Sequence, residues 1–216
     1  MVINSEQIAE MEKRYRATFI NSLPGYKCLQ LVGTISTDGI TNLGLFNSIF
    51  HVGANPPLLG MVFRPDSPDH DTLDNIKANG QYTLNNVLPD WYERAHLASA
   101  KFPSGVSEFE PCGFKKYYQN GFKPPFVSQS SIKIGLELRE MIDIEVNNTT
   151  IVIGEIVYII LDGDLIEDDG YLDHQRAGTL TVNGLEAYFT TNKLARLSHA
   201  RPGEKTSESA LESSTL

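Results

Sequence analysis

From Ile132 to Val146 an apolar residue recurs on the even-numbered positions: Ile132, Ile134, Leu136, Leu138, Ile142, Ile144 and Val146. A period of two is the signature of a half-buried β-strand. Asn147-Asn148 then makes a turn, and Thr150–Leu161 returns apolar on both faces. A strand of that kind lies at the centre of a sheet or against another subunit. Shorter strands are expected at Tyr26–Ser36 and Thr41–His51, joined at Asp38-Gly39, and at Leu58–Phe63, Gln81–Val87 and Thr179–Thr190. Helical spacing of Ile8, Met11, Tyr15 and Phe19 predicts one N-terminal helix capped by Ser5 and stopped at Pro24-Gly25. Further helices are predicted from Asp71-Thr72 to Asn79-Gly80, over Trp91–Ala100 and over Lys193–His199. Six or seven strands, mostly hairpin-linked and not alternating with helices, make the fold mainly β: a closed or half-open antiparallel barrel with peripheral helices.

Composition narrows the function. The chain has 216 residues, enough for one domain with a real core, and 18 basic against 27 acidic residues give a net charge of −9. Such a chain is a poor nucleic-acid binder, which needs clustered Lys and Arg. The longest apolar run, 151–161, contains Glu155 and falls short of the roughly 20 residues that span a bilayer. No signal peptide is read at the N-terminus, and two cysteines without a CxxC fit a reducing compartment, so a cytoplasmic location is expected. The long connection Phe102–Pro125, rich in aromatics, is of a length that carries function or an interface. Residues 1–202 read as one domain and 203–216 as a polar tail, solvated or docked on a partner subunit.

The chemistry concentrates between Asn42 and Ile76. Asn47-Ser48 interrupts an otherwise apolar strand, and Arg64, Ser67, His70 and Asp71-Thr72 follow at a helix start. Arg offers a bidentate fork, Ser67 and Thr72 offer hydroxyls, and free N–H groups at a helix start favour an anion. A planar ring with a phosphate tail suits that set. The same residues also read as an N-cap at Asp71, a solvated charge at Arg64 and a strand bulge at Asn47-Ser48.

This stretch resembles the flavin reductase-like, FMN-binding split-barrel family, which includes flavoredoxins and the reductase components of two-component monooxygenases. Asn42-Leu43-Gly44-Leu45-Phe46-Asn47-Ser48-Ile49-Phe50 is similar to its N-L-A-P-[FY]-S-x-F segment, with Pro56-Pro57 in register. Arg64 and Asp71-Thr72-Leu73-Asp74-Asn75-Ile76 are similar to its Arg and K-D-T-x-x-N-I. Ser99–Pro103 with Gly105–Phe109, Ile151–Val157, and Gly184–Tyr188 with Arg201-Pro202 complete the series. Three departures stand out: Asn47 for Ser, His70 for Lys, and Ala98 for Thr.

The resemblance implies a Greek-key split barrel that binds FMN as a homodimer, with the flavin near the subunit interface. It implies that Asn47, Ser48 and Ile49 line the ring, and that Arg64, Ser67, His70 and Thr72 hold the phosphate. Ser99, Ala100 and Lys101 would close the site. With His70 in place of Lys, the phosphate site is a charge short of the family's. The implied activity is hydride transfer from NAD(P)H to the flavin and onward to a small acceptor or a partner oxygenase, with no catalytic side chain required. A flavoredoxin-like carrier fed by another protein and a non-catalytic flavin-binding module are the alternatives. The five histidines show no HxH or HExxH spacing, so no metal site is expected, and no GxGxxG, GxxxxGK[ST] or GxSxG occurs. Cys28 is expected in the core, Trp91 and Tyr188 as packing anchors, and His174 in a solvated loop or near the flavin.

Overall fold

The structure is a computed structural model that describes residues 1–65, 70–103, 105–203 and 205, His70 by its backbone alone. Two short helices lead the chain, α1 (Ser5–Glu10) and α2 (Lys13–Ser22), where one was expected. Asn4, one residue before Ser5, caps α1 in a reciprocal box with Gln7. Glu12 starts a second helix by accepting from the Tyr15 N–H.

Five strands follow: β1 (Lys27–Cys28), β2 (Gln30–Ile35), β3 (Thr41–Phe46), β4 (Ile49–Ala54) and β5 (Pro57–Phe63). Then come α3 (His70–Asn79), β6 (Gln81–Asn86), and a 3₁₀ turn at Pro89–Trp91 that runs into α4 (Tyr92–Leu97). The remainder comprises β7 (Lys116–Tyr117), β8 (Phe126–Val127), β9 (Ile132–Ile144), β10 (Thr149–Leu161), a 3₁₀ turn at Gly163–Leu165, β11 (Thr181–Asn183) and β12 (Ala187–Phe189).

The strand expected at Thr179–Thr190 is thus a hairpin, β11–β12, turned at Gly184 with φ +63°. The helix expected at Lys193–His199 does not form. Its cations are spent on long-range pairs instead: Lys193 with Asp173 at 2.7 Å, and Arg196 with Glu167 at 2.6 Å and Asp169 at 2.5 Å. Asp71 lies inside the first turn of α3 and does not cap it, and Cys28 is exposed. Of the polar tail, only Gly203 and Lys205 lie among the described residues.

Seven strands form one antiparallel sheet in the order β3-β2-β6-β9-β10-β5-β4. Its two edge strands, β3 and β4, are consecutive in the chain and separated only by Asn47 and Ser48. Laid flat, seven strands put their edges about 29 Å apart at ~4.8 Å per spacing. Three peptide steps from Phe46 to Ile49 reach at most about 11 Å. The sheet must therefore curl until its edges nearly meet, which makes a split barrel.

Alternating side chains feed two cores. Val32, Met61, Tyr82, Leu84, Leu136 and Val152 fill the barrel, while Leu31, Leu43, Val87 and Val127 face outward under α4 and the long connection. There Trp91 meets Phe114 edge-on at 5.1 Å, with Phe109 and Cys112 beneath. The aromatic connection is a cover for the outer face of the sheet. Helix α3 plugs the barrel through Ile76 and three polar ties: Asn42 Nδ2 to Thr72 Oγ1 (2.8 Å), Asn75 Nδ2 to Thr34 Oγ1 (3.0 Å) and Asn79 Nδ2 to the Ile35 carbonyl (2.7 Å).

Edge strand β3 is protected by Glu108, whose buried carboxylate accepts the Leu43 N–H at 2.8 Å. Burial holds this carboxyl above the ordinary carboxylate range. The folded protein therefore binds that proton more tightly than the unfolded chain, and the cost of the buried charge is present above the folded pKa and relieved as pH falls. Glu108→Gln keeps an acceptor and removes the charge. Thermal melts should show it more stable than the parent at neutral pH, with the advantage shrinking as pH is lowered through the carboxylate range.

Gly154 of β10 faces the fully buried Tyr82, and a Cβ there would overlap the phenol hydroxyl and ring. Gly154→Ala should cost about 1–3 kcal/mol, read as a Tm lower by about 2–4 °C per kcal/mol.

Candidate functional site

The seam where the two sheet edges meet is where backbone leaves the ladder. Ser48 keeps one tie, its carbonyl accepting from the Val62 N–H of β5 at 3.0 Å. The Asn47 amide crosses the gap and donates to the Gly184 carbonyl at 2.9 Å, while the Ser48 hydroxyl donates to Asn47 Oδ1 at 3.3 Å. Asn47 thereby holds the β11–β12 turn against the seam.

A cleft of about 560 Å³ opens there, within the range of small-molecule sites. Leu29, Leu45, Phe46, Val62 and Leu185 give it an apolar wall. Asn47, Ser48, Arg64, His96, Ser99, Asn147, Thr149 and Glu186 bring polar groups. Arg64 stands just past β5, exposed, with Nη1 3.4 Å from Asn21 Oδ1. His96, near the end of α4, lies with Nδ1 2.5 Å from the Tyr188 hydroxyl, the two rings edge-on. Burial, with Glu186 adding to it, pushes the Tyr188 phenol up to about 12.

Of the residues singled out in the sequence, the cleft brings together Asn47, Ser48, Arg64 and Ser99. Ser99 donates to the His96 carbonyl at 2.7 Å and so also terminates α4. Thr72 is fully buried and its hydroxyl accepts from Asn42 Nδ2, so it fastens α3, and it is not among the residues lining the cleft. Ile49 begins β4 and packs on the barrel core, and Ala100 and Lys101 are exposed beyond α4, none of the three lining the cleft. Ser67 lies outside the described residues, as does the side chain of His70. His174 is also away from the cleft, bonded through Nδ1 to Thr179 Oγ1 at 3.0 Å.

Sequence reasoning missed His96, Asn147, Thr149, Leu185 and Glu186. Asn147, Thr149 and the Leu185-Glu186 pair sit at strand turns, and turn residues are brought to a site only by topology. For His96 the one signal available was its place three residues before Ser99.

The family's Ser at position 47 could not reach Gly184 as Asn does. Asn47→Ser should therefore release the β11–β12 turn, and amide exchange at 184–186 should quicken by up to about tenfold, the worth of one net hydrogen bond. Unchanged exchange would free Asn47 of this role.

A curled antiparallel sheet with a half-apolar, half-polar cleft at its seam defines a split barrel. The chain belongs to the flavin reductase like domain family, whose model matches residues 28–180. A candidate flavin reductase with split barrel domain from Shewanella frigidimarina NCIMB 400 is similar at 42% identity and a TM-score of 0.89, over 93% of this chain and all of that one. Nitrilotriacetate monooxygenase component B from Bacillus cereus shares the fold at 17% identity and a TM-score of 0.80, over 91% and 98% of the two chains. The flavoredoxin of Desulfovibrio vulgaris (Miyazaki F) shares it at 21% identity and a TM-score of 0.70, over 84% and 94%.

Proposed function

We propose that this protein binds FMN in the seam cleft and is an NAD(P)H-dependent flavin oxidoreductase, passing electrons to a small acceptor or a partner oxygenase. The observation that carries the reading is the cleft itself, with an apolar wall, polar groups at the Asn47-Ser48 seam, and the Arg64 guanidinium at one end. That donor set fits the group: the wall suits a planar ring, seam polar groups suit its edge, and a guanidinium suits a phosphate. When bound, the flavin supplies the hydride chemistry. The chain's part is to orient the ring through Asn47 and Ser48, hold its tail at Arg64, and exclude water with Leu45, Phe46 and Leu185. His96, its Nδ1 joined to the Tyr188 hydroxyl, brings its ring to the rim.

The component B relative supports an oxygenase partner, and the doubly apolar β10 supports a homodimer formed by a cytoplasmic domain of residues 1–202. Mixed with NADH or NADPH without oxygen, the FMN-loaded protein should lose its flavin absorption within seconds, and the faster nucleotide names the donor. A flavin that binds but stays oxidised would move the protein to the flavoredoxin-like reading, and failure to take up FMN would overturn both.

A further inference from the structure

Neither N-terminal helix buries a residue. α2 has 10 residues, short of the ~12–15 at which a helix in water becomes even marginal, so packing must hold it. Two hydrogen bonds tie it to the strands, both at Asn21, from Lys27 and from Arg64. Its apolar face stays open: Tyr15, Phe19 and Leu23 recur every four residues with Ile20 beside them, and Tyr15 is 62% exposed. Lys13, Arg14 and Arg16 crowd its first turn, and among the described residues none makes an ion pair. Cations there oppose the helix dipole, a cost that carboxylates from outside would offset.

A matching surface lies on the outer face of β9 and β10. Ile134, Leu136 and Leu138 pack on the barrel core, and then a bulge at Arg139 reverses the alternation, Leu138 pairing with Gly154 and Glu140 with Ile153. Met141 therefore packs on the core, and Ile142 is thrown outward, 41% exposed. Ile142 pairs with Ile151 and Ile151 with Val62, so three strands share an outer apolar strip that enters the cleft at Val62. Glu140 and Glu145 flank the strip, exposed and without ion pairs among the described residues.

We propose that α2 of one copy lies on this strip of a second copy, and reciprocally, its basic first turn against Glu140 and Glu145 and its Tyr15, Phe19 and Ile20 over Ile142. The inference rests on the homodimer and flavin readings above and adds which elements meet. Apolar faces apolar and base faces acid, and each copy carries both patches, so a two-fold axis closes the pair. Because the strip runs into the cleft at Val62, the second copy's helix completes the open side of the site.

The test is sedimentation of the full chain over a range of concentrations, with FMN titrated in parallel. The parent should be a dimer. Arg14→Glu and Glu140→Arg should each weaken it about tenfold, and the two together should restore most of the loss, because the reversed charges attract again. That rescue also serves as the folding control. FMN affinity should fall in each single variant and recover in the double. A parent dimer that neither reversal weakens, or a double variant no better than the singles, would overturn the exchange and leave a homodimer through another face. FMN affinity that does not follow the dimer would overturn the shared site. A monomeric parent that binds FMN would overturn both the exchange and the homodimer, with the flavin reading left standing.

Discussion

Everything in this molecule depends on the two residues that join one edge of a seven-stranded sheet to the other. Because β3 and β4 are the outermost strands and only Asn47 and Ser48 separate them, no flat or gently twisted arrangement can satisfy the chain. Curling removes most of the exposed edge, which is the general advantage of a barrel. It also leaves a place where the ladder is incomplete. At that seam a backbone carbonyl has one partner, the Asn47 side-chain amide bridges the gap, and the elements entering from outside the barrel converge. The cleft is the geometric remainder of closing the sheet, so the residues that close it also line it.

The converging elements are held by polar ties in an otherwise apolar setting. Asn85 donates to the Leu31 carbonyl and accepts from the Val127 N–H, and Asn86 does the same between Thr179 and Ile132. Together with Asn42, Asn75 and Glu108 these groups are buried and each has its partners. A buried amide without a partner costs about 1–3 kcal/mol, so each tie specifies one register between sheet, helix and connection. Much of the family's sequence signature is of this kind. Thr72 and Asn75 in the helix motif, and Glu108 in the connection, fasten elements to the barrel, and the motif reports the fold before it reports a ligand.

This explains what was legible in the sequence. Period-two patterning from Ile132 to Ile144 and the doubly apolar return to Leu161 identified the β9–β10 hairpin, because alternation is a direct image of a strand with one buried face. The seam was legible too, since Asn47-Ser48 is polar where its neighbours are not. The N-terminal break at Met11–Glu12 was not, because the apolar spacing runs through it and only the Glu12 cap ends one helix and begins the next. Nor was the extended path of Lys193–Arg196, whose helical spacing is overruled by acids some 20 to 29 positions earlier. Half of the cleft escaped for the same reason. His96, Asn147 and Glu186 sit in three separate parts of the chain, and nothing local records that the closing sheet will bring them to one rim.

Charge completes the argument. A chain with net charge −9 carries a negative field at long range, which opposes the approach of an anionic ligand. That field is screened over about 8 Å at physiological ionic strength. Inside that distance the cleft presents Arg64, and among the described residues its one carboxylate, Glu186, comes from the turn that Asn47 holds. The affinity proposed for a phosphate-bearing ring thus rests on short-range geometry, which the closure of the barrel supplies. The link that forces the two sheet edges together also sets the distance between the polar seam and the Arg64 guanidinium, the two ends of the proposed flavin site.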